Sequence, residues 1–495
     1  MTGAPAATMD LGSLVATVTG ARLHGPSATP IGSLAHDTRR VRPGALFIAL
    51  RGERVDGHAY LAAALAAGAS AVVVDGAYAA AYGVPSGAAA TLVVPDTRRA
   101  LSALANAYYG EPTRALRVTG VTGTNGKTTT TQLIAAVLEA AGIATGSIGT
   151  LGARLGGAMW SLENTTPLAL ELQALFAEMR ARGARAVAME VSSHALALDR
   201  VADVTFALAV LTNVTRDHLD FHGTFAAYAA TKRELFARAP HAILNVDDAC
   251  GARWAAELAA LGRAPVTYGF GDATVRAREV VMRAGGSAFV VDGARFAVRL
   301  PGRFNVANAL AALAVAREYG VADALAARAL AAFEGVPGRM EHLAGGGIDV
   351  LVDYAHTPDA LDVVLRAARE TARGDLTVVF GCGGDRDRGK RPEMGRIASA
   401  GADRVIVTSD NPRGESPQAI VDEILAGVGP AANVVALLDR HAAIAHAIAS
   451  ARPGDVVVVA GKGHETYQTT GTAINHFDDR DEVRAALAVR ETAAP

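Results

Sequence analysis

The sequence predicts an α/β protein of three domains. It divides into a small N-terminal α/β unit, a central unit with a mainly parallel sheet, and a C-terminal doubly wound unit. Three observations predict this. Apolar runs of strand length alternate with Ala-rich segments of helix length, the pattern of βαβ units. At 495 residues the chain is too long for one core, since domains run to roughly 100–200 residues. A change of pattern near residue 115 and a turn-rich joint at 334–342, "EGVPGRMEH", divide it into residues 1–114, 115–337 and 338–495.

In the first block the runs "ALFIAL" and "SAVVVDG" read as buried strands between helical stretches. The second opens on "LRVTGVTGTNGKTTTTQLIAAVLEAAG", a strand, a Gly-rich turn and a helix, and continues through "ARAVAMEV", "FALAVLTNV" and "HAILNVD". Three hairpin-like segments near 275–299 and two helices complete it. The last block carries five apolar runs: "DVLVDYA", "LTVVFG", "RVIVTSD", "VVALLD" and "DVVVVAG". This is a Rossmann-like pattern. Polar and Gly-rich clusters follow four of these runs: 354–358, 381–392, "SDNPRG" and "GKGHE". Open α/β sheets bind ligands outside their strand carboxyl ends, so these clusters mark a site.

Composition narrows the class. Hydrophobic residues make up 51% and charged residues 19%, which is globular. A formal net charge of −2 gives no electrostatic case for nucleic acid or an anionic membrane. The two cysteines, Cys250 and Cys382, are far apart, which argues against a disulfide framework or zinc site and suits a reducing cytosol. The N-terminus has no basic, apolar signal-peptide pattern. No apolar run approaches the ~18 residues of a membrane helix.

"TGTNGKTT", residues 122–129, lies between a strand and a helix. Backbone N–H groups of such a loop cradle phosphate, and the helix N-terminus adds its dipole. Gly123, Thr124, Asn125, Gly126, Lys127, Thr128 and Thr129 form this P-loop-type site. Lys127 would reach the β/γ-phosphates of ATP, and the Thr128 hydroxyl would bind Mg²⁺. The common pattern wants Gly where this chain has Val121, so Gly123 supplies the turn instead. Glu190 ends the strand of "AMEVSSHAL" and is a candidate Mg²⁺ ligand. "NVTRDHLDFHG", residues 213–223, offers His218 for a magnesium-side or substrate role; for His222 packing is as good an explanation. Asn305 and Asn308 sit one turn apart at a helix start and could read a purine edge. In "VIVTSDNPRGESP", Asp410, Asn411, Pro412 and Arg413 place a carboxylate, an amide and a guanidinium on a loop stiffened by proline.

Together these stretches resemble the Mur ligase family. The resemblance rests on TGTNGKTT, NTTP at 164–167, EVSSHAL at 190–196, NVTRDHLDFHG, TKRELF at 231–236, GRFNVANALAA at 302–312, PGRME at 337–341, VDYAHTPDAL at 352–361, GCGGDRDRGKRP at 381–392, DNPR at 410–413 and GKGHE at 461–465. It spans nearly the whole chain, and DNPR is similar to the branch that adds meso-diaminopimelate to UDP-N-acetylmuramoyl-L-alanyl-D-glutamate in peptidoglycan synthesis.

The resemblance implies an ATP-dependent ligase working through an acyl phosphate, with two Mg²⁺ sites. It implies that Lys127 and Thr128 hold phosphate, that Thr128 and Glu190 hold one Mg²⁺, and that Lys232 is carbamylated (N6-carboxylysine) and holds a second near His218. Asn305, Arg339 and Asp353 would touch the nucleotide. The UDP-linked substrate would meet His36, Thr38, Glu53, Arg54 and Val55 in the first domain, and Asn164, Thr165, Thr166, Ser192, Leu198 and Arg200 in the second. Many relatives have Gln where this chain has Leu198. Arg386, Asp410, Asn411, Pro412, Arg413, Gly461 and Glu465 would bind diaminopimelate, with Arg413 on a carboxylate and Asp410 and Asn411 on an ammonium. A cytoplasmic monomer with only small-molecule partners is expected. The rival readings are a lysine-adding sibling, a folylpolyglutamate synthase-like ligase, and a P-loop switch or binding module.

Overall fold

The computed structural model describes residues 8–52, 55–429 and 432–493. Three principal sheets follow one another along the chain. The first has five strands in the order Arg22–His24, Ala90–Val94, Ala69–Asp75, Ala45–Ile48, Ser33–Ala35. All pairs are parallel except the one made by Arg22–His24. The strand Ala45–Ile48 is buried at every residue, as its unbroken apolar run requires.

The central sheet has nine strands in the order Ala158–Trp160, Gly152–Leu155, Thr145–Gly149, Ala186–Glu190, Arg117–Thr122, Phe206–Leu211, His241–Asn245, Val266–Gly269, Val275–Arg276. It is parallel from Thr145–Gly149 onward, and two antiparallel strands extend that edge. Apolar side chains pack on both faces, so the sheet lies between two cores. The hairpin-like segments form a separate three-stranded antiparallel sheet, Arg278–Arg283, Gly286–Val291 and Ala294–Val298.

The last sheet has six strands in the order Glu341–Gly345, Ile348–Asp353, Val456–Ala460, Leu376–Phe380, Arg404–Val407, Val434–Ala436. The five expected strands are parallel. The sixth, Glu341–Gly345, is an antiparallel edge that the sequence reading left inside the joint. Gly346 and Gly347 turn it back on Ile348–Asp353 with φ of +54° and +80°, a conformation that favours glycine. The last strand in sequence but one of the inner strands in space, Val456–Ala460, inserts between the first and second expected strands. That insertion brings the loop at 461–465 between the loops at 354–358 and 381–392.

Candidate functional site

The phosphate loop leaves the strand Arg117–Thr122 and enters the helix Lys127–Ala140. Gly123 has φ of +152°, and a Cβ there would lie 1.9 Å from Thr212 Oγ1. Gly126 has φ of +84°, and a Cβ there would lie 2.5 Å from Asn308 Oδ1. Only glycine fits either position. Asn213 clamps the loop: its Oδ1 accepts from Asn125 N at 2.9 Å, its carbonyl oxygen accepts from Thr124 N at 2.8 Å, and its Nδ2 donates to Asn125 O at 3.1 Å. Thr212 Oγ1 donates to Asn125 O at 2.6 Å.

Glu190 sits on the neighbouring strand, in register with Val121, and is 1% exposed. Its carboxylate accepts from Thr128 Oγ1 at 3.1 Å and from Thr150 N at 2.8 Å. Sheet order alone therefore puts an oxygen ligand set, Thr128 and Glu190, at the start of the phosphate-loop helix. Hard oxygen donors suit Mg²⁺. Lys127 Nζ donates to Gly123 O and Thr124 O, each at 2.8 Å, and Lys232 Nζ donates to the same Gly123 O at 2.8 Å. Lys232 is 1% exposed, with its ammonium 4.6 Å from the Tyr228 ring centroid. Burial first, and then Lys127, hold the Lys232 pKa well below the ordinary lysine value.

His218 adopts φ of +51° and its ring lies 4.8 Å from that of His194 and 6.2 Å from that of Tyr228. Burial, then His218 and His222, push His194 down to about 4. His194 and Tyr228 were not singled out from the sequence. Tyr228 stands four residues before Lys232 on the helix Phe225–Ala237, the spacing of one helix face, and that was the available signal.

On the substrate side of Glu190, Thr166 Oγ1 donates to Glu190 O at 2.9 Å and accepts from Ser192 N at 3.1 Å, while Thr165 and Thr150 hydroxyls lie 3.1 Å apart. Arg200 donates to Thr166 O at 2.9 Å. Its Nε is buried without a partner among the described residues, which suits an anion. Asn164 is exposed and Leu198 partly buried beside this group in sequence. His36 pairs with Glu171 at 2.9 Å across the first two units, with Thr38 opening the short helix Thr38–Arg40 just after it. Val55 is exposed; Glu53 and Arg54 lie outside the described residues.

In the last unit Asp353 is buried and accepts from Met340 N at 2.7 Å and Ala355 N at 2.8 Å. The Arg339 guanidinium lies 4.5 Å from the Tyr354 ring centroid, and its buried Nε has no partner among the described residues. Asp410 follows the strand Arg404–Val407 and is 8% exposed. Gly461, at φ of +116°, leaves the room beside it: a Cβ would lie 2.7 Å from Asp410 Oδ2. Arg413 Nη1 donates to Gly384 O at 2.9 Å, leaving the rest of the guanidinium for a ligand. Arg386 is exposed on the neighbouring loop.

Three family profiles match in chain order. They are "Mur ligase family, catalytic domain" over residues 30–109, "Mur ligase middle domain" over 121–316, and "Mur ligase, glutamate ligase domain" over 338–463. A UDP-N-acetylmuramoyl-L-alanyl-D-glutamate–2,6-diaminopimelate ligase of Gloeobacter violaceus is 46% identical over 472 residues, 93% of this chain and 95% of its own. One of the same name from Pseudomonas aeruginosa is 45% identical over 470 residues, covering 93% and 96%. The chain belongs to the Mur ligase family. A solved structure of a UDP-N-acetylmuramoyl-L-alanyl-D-glutamate–2,6-diaminopimelate ligase superposes on this Mur ligase with a TM-score of 0.70 at 34% identity, covering 98% of this chain and 99% of that one. A Thermotoga maritima MurF structure in complex with ADP shares the fold at 20% identity and a TM-score of 0.64, with 93% and 98% covered.

Two expectations for this Mur ligase are revised by the side-chain geometry. Asn411 is 1% exposed and has no amide group left for an ammonium. Its Nδ2 donates to Glu465 Oε2 at 2.8 Å, and its Oδ1 accepts from Thr469 N at 3.0 Å. It braces the loop, as Pro412, also buried, does by packing. Asn305 and Asn308 do not face outward to read a base. Asn305 is 2% exposed, donates to Pro301 O at 2.8 Å and accepts from Asn308 Nδ2 at 3.0 Å. Asn308 in turn accepts from Thr130 Oγ1 at 3.2 Å, so the pair ties its helix to the phosphate-loop helix. Lys462, fully buried and bonded to Tyr467 O at 2.5 Å, was inside the quoted GKGHE motif but was given no role there.

Proposed function

We propose that this Mur ligase joins meso-diaminopimelate to UDP-N-acetylmuramoyl-L-alanyl-D-glutamate, cleaving ATP to ADP and phosphate. One observation carries the reading. A phosphate loop whose Thr128 hydroxyl is bonded to the strand-end carboxylate of Glu190 at 3.1 Å stands at one sheet, and a fork of Asp410 and Arg413, braced by the Asn411–Glu465 hydrogen bond, stands at the strand ends of another. The full-length likeness to diaminopimelate ligases supports the choice of substrates.

In this reading the D-glutamyl carboxylate attacks the γ-phosphorus and forms an acyl phosphate. The substrate amine then attacks the acyl carbon, and the tetrahedral intermediate collapses with loss of phosphate. The protein's work is to bring anions together and hold them. Lys127 swings from the loop carbonyls onto the β/γ-phosphates. Gly123 to Thr129 enclose them with backbone N–H groups. Arg200 and Arg339, each with an unpartnered buried Nε, take anionic groups from the two substrates. Asp353 meets the nucleotide from the third domain, and Asn305 supports it from behind. His36, Thr38 and the segment at 53–55 hold the uridine end. Asn164, Thr165, Thr166, Ser192 and Leu198 line the path to the reacting carboxylate.

This reading takes two Mg²⁺ ions, each held by few side chains with phosphate and water completing its shell. Thr128 and Glu190 would hold one, and His218 with carbamylated Lys232 the other. Bound Mg²⁺ would neutralise charge between phosphates and carboxylate. Lys232 suits the modification because burial lowers its pKa, which favours the neutral amine that takes up CO₂. At the fork, Arg413 and Arg386 take substrate carboxylates, and Asp410 and Glu465 an ammonium, with Gly461 giving access. In this reading the domains are 1–114, 115–337 and 338–495, and one principal sheet in each supports the division. One chain carries every group named, so a monomer suffices. A cytoplasmic location goes with this reading, since both proposed substrates carry nucleotides.

The test is phosphate release with the UDP-dipeptide, ATP and a panel of amino acids. Turnover is expected only when diaminopimelate and the UDP-dipeptide are both present. Equal turnover with lysine overturns the choice of amino acid. Phosphate release that needs neither acceptor nor amine overturns the ligase.

A further inference from the structure

The hairpin Tyr467–Thr470 and Ala473–His476 follows the loop at 461–465. Among the described residues its two strands form a sheet of their own, joined to the fork by a parallel bridge between Thr470 and Arg413, and its outer strand is exposed at every residue. A lone two-stranded hairpin is marginal in water. This one is held by the fork. Gln468 Nε2 donates to Asp410 O at 2.8 Å, Thr469 N to Asn411 Oδ1 at 3.0 Å, Arg413 N to Thr469 O at 3.0 Å, and Gly471 N to Arg413 O at 2.7 Å. The last two hold both backbone polar groups of Arg413, whose φ of +52° is strained for a residue with a side chain. The hairpin therefore decides where the Arg413 guanidinium points.

The first residue of the hairpin is Tyr467, 41% exposed. Single exposed aromatic residues are ordinary. This one is not placed at random. Its carbonyl oxygen caps the buried Lys462 ammonium, which lies 5.5 Å from its ring centroid. Its phenol is raised in pKa by Glu465 first, then by burial, and it also feels Arg413, Asp410 and Arg386. The same Lys462 Nζ lies 3.4 Å from both Asn411 Oδ1 and Glu465 Oε2, so the Tyr467 ring borders the amino-acid site.

We propose that Tyr467 is a binding residue for the amino-acid substrate, packing its ring on the methylene chain and donating its hydroxyl to a substrate carboxylate. This rests on the proposed function and deepens it. The arrangement closes one side of a site otherwise made of charges, and supplies the apolar surface that a long aliphatic amino acid needs.

The experiment is steady-state kinetics of the full chain carrying Tyr467→Phe or Tyr467→Ala, with diaminopimelate and the UDP-dipeptide varied separately. Loss of one neutral hydrogen bond predicts a KM for diaminopimelate raised about 2- to 12-fold in the Phe variant. The Ala variant, which also loses the ring, should exceed that. In both, kcat and the KM for the UDP-dipeptide should stay within about twofold of wild type, a margin set by the roughly 0.5 kcal/mol scatter of neutral substitutions. An unchanged KM for diaminopimelate in Tyr467→Ala overturns the inference alone. Equal rises in both KM values overturn it as well, because they report a general distortion. Wild-type protein that shows no diaminopimelate-dependent phosphate release overturns the proposed function, and this inference with it.

Discussion

Lys127 and Lys232 donate to the same acceptor, the carbonyl oxygen of Gly123, each at 2.8 Å. Burial is the first cause that lowers the pKa of both amines, and Lys127 lowers that of Lys232 further. A carbamate on Lys232 would turn this repulsive pair into an attractive one. Lys232→Ala should therefore abolish turnover, and a small added carboxylic acid should restore part of it by occupying the vacated position. An intact mass showing an unmodified amine in active enzyme, or a fully active Ala variant, would overturn this.

Lys127→Ala should leave the fold intact, because its hydrogen bonds run only to Gly123 O and Thr124 O within its own loop. Phosphate release should disappear with the main cation for the β/γ-phosphates. Circular dichroism and a phosphate assay on the same preparation decide it, and near wild-type turnover would remove the ATP site from this loop.

Arg413→Ala tests the fork. A planar guanidinium matches a carboxylate with two parallel hydrogen bonds. Loss of a charge-assisted bond of roughly 1.5–3 kcal/mol should raise the KM for diaminopimelate about 10- to 150-fold. Lysine, which lacks the distal carboxylate, should be affected much less. Equal losses of kcat/KM for both amino acids would mean that Arg413 holds the shared carboxylate.

The ion pair of Arg440 and Asp479 is fully buried, at 2.7 Å, and Arg440 also donates to Ala460 O at 3.0 Å and Ser409 O at 3.3 Å. It ties down the two strand ends from which the fork and the 461–465 loop begin. Asp479→Ala should cost roughly 3–5 kcal/mol, since it strands a buried guanidinium. The expected result is a lowered unfolding midpoint in denaturant; an unchanged midpoint would mean that water enters the pair.

His464 is pushed down to about 4 by burial first, then by Arg339, Arg480 and His356. Its folded pKa lies below the unfolded value of about 6.5, so the unfolded chain binds more protons between the two. Stability from this group is full above about pH 6.5 and is lost as pH falls through about 4. A His464→Gln variant should lose stability less steeply over that window. Parallel pH–stability curves for the two proteins would refute the assignment.

Much of the site was legible because its chemistry is local in sequence. The phosphate loop, the strand-end position of Glu190 and the four clusters after the last block's strands could all be read from periodicity and turn residues. The edge strand Glu341–Gly345 was missed because its burial is only intermediate and its sequence, "EHLAG", carries no apolar run. The internal hydrogen bonds of Asn411 and Asn305 were not legible, because a sequence shows that an amide is present but not which partners its donors and acceptors take. Tyr467 gave no signal at all, being one tyrosine after a motif.

What the sequence determined by itself was the kind of fold and the inventory of reactive groups, since hydrophobic periodicity and glycine-dependent turns act over a few residues. What only the tertiary structure decided was adjacency. The insertion of Val456–Ala460 between two earlier strands brings Lys462 and Glu465 onto Asn411. Those partners lie more than fifty residues apart in the chain. Their meeting depends on which strand edges pair, a non-local choice made by burying both faces of the sheet at once.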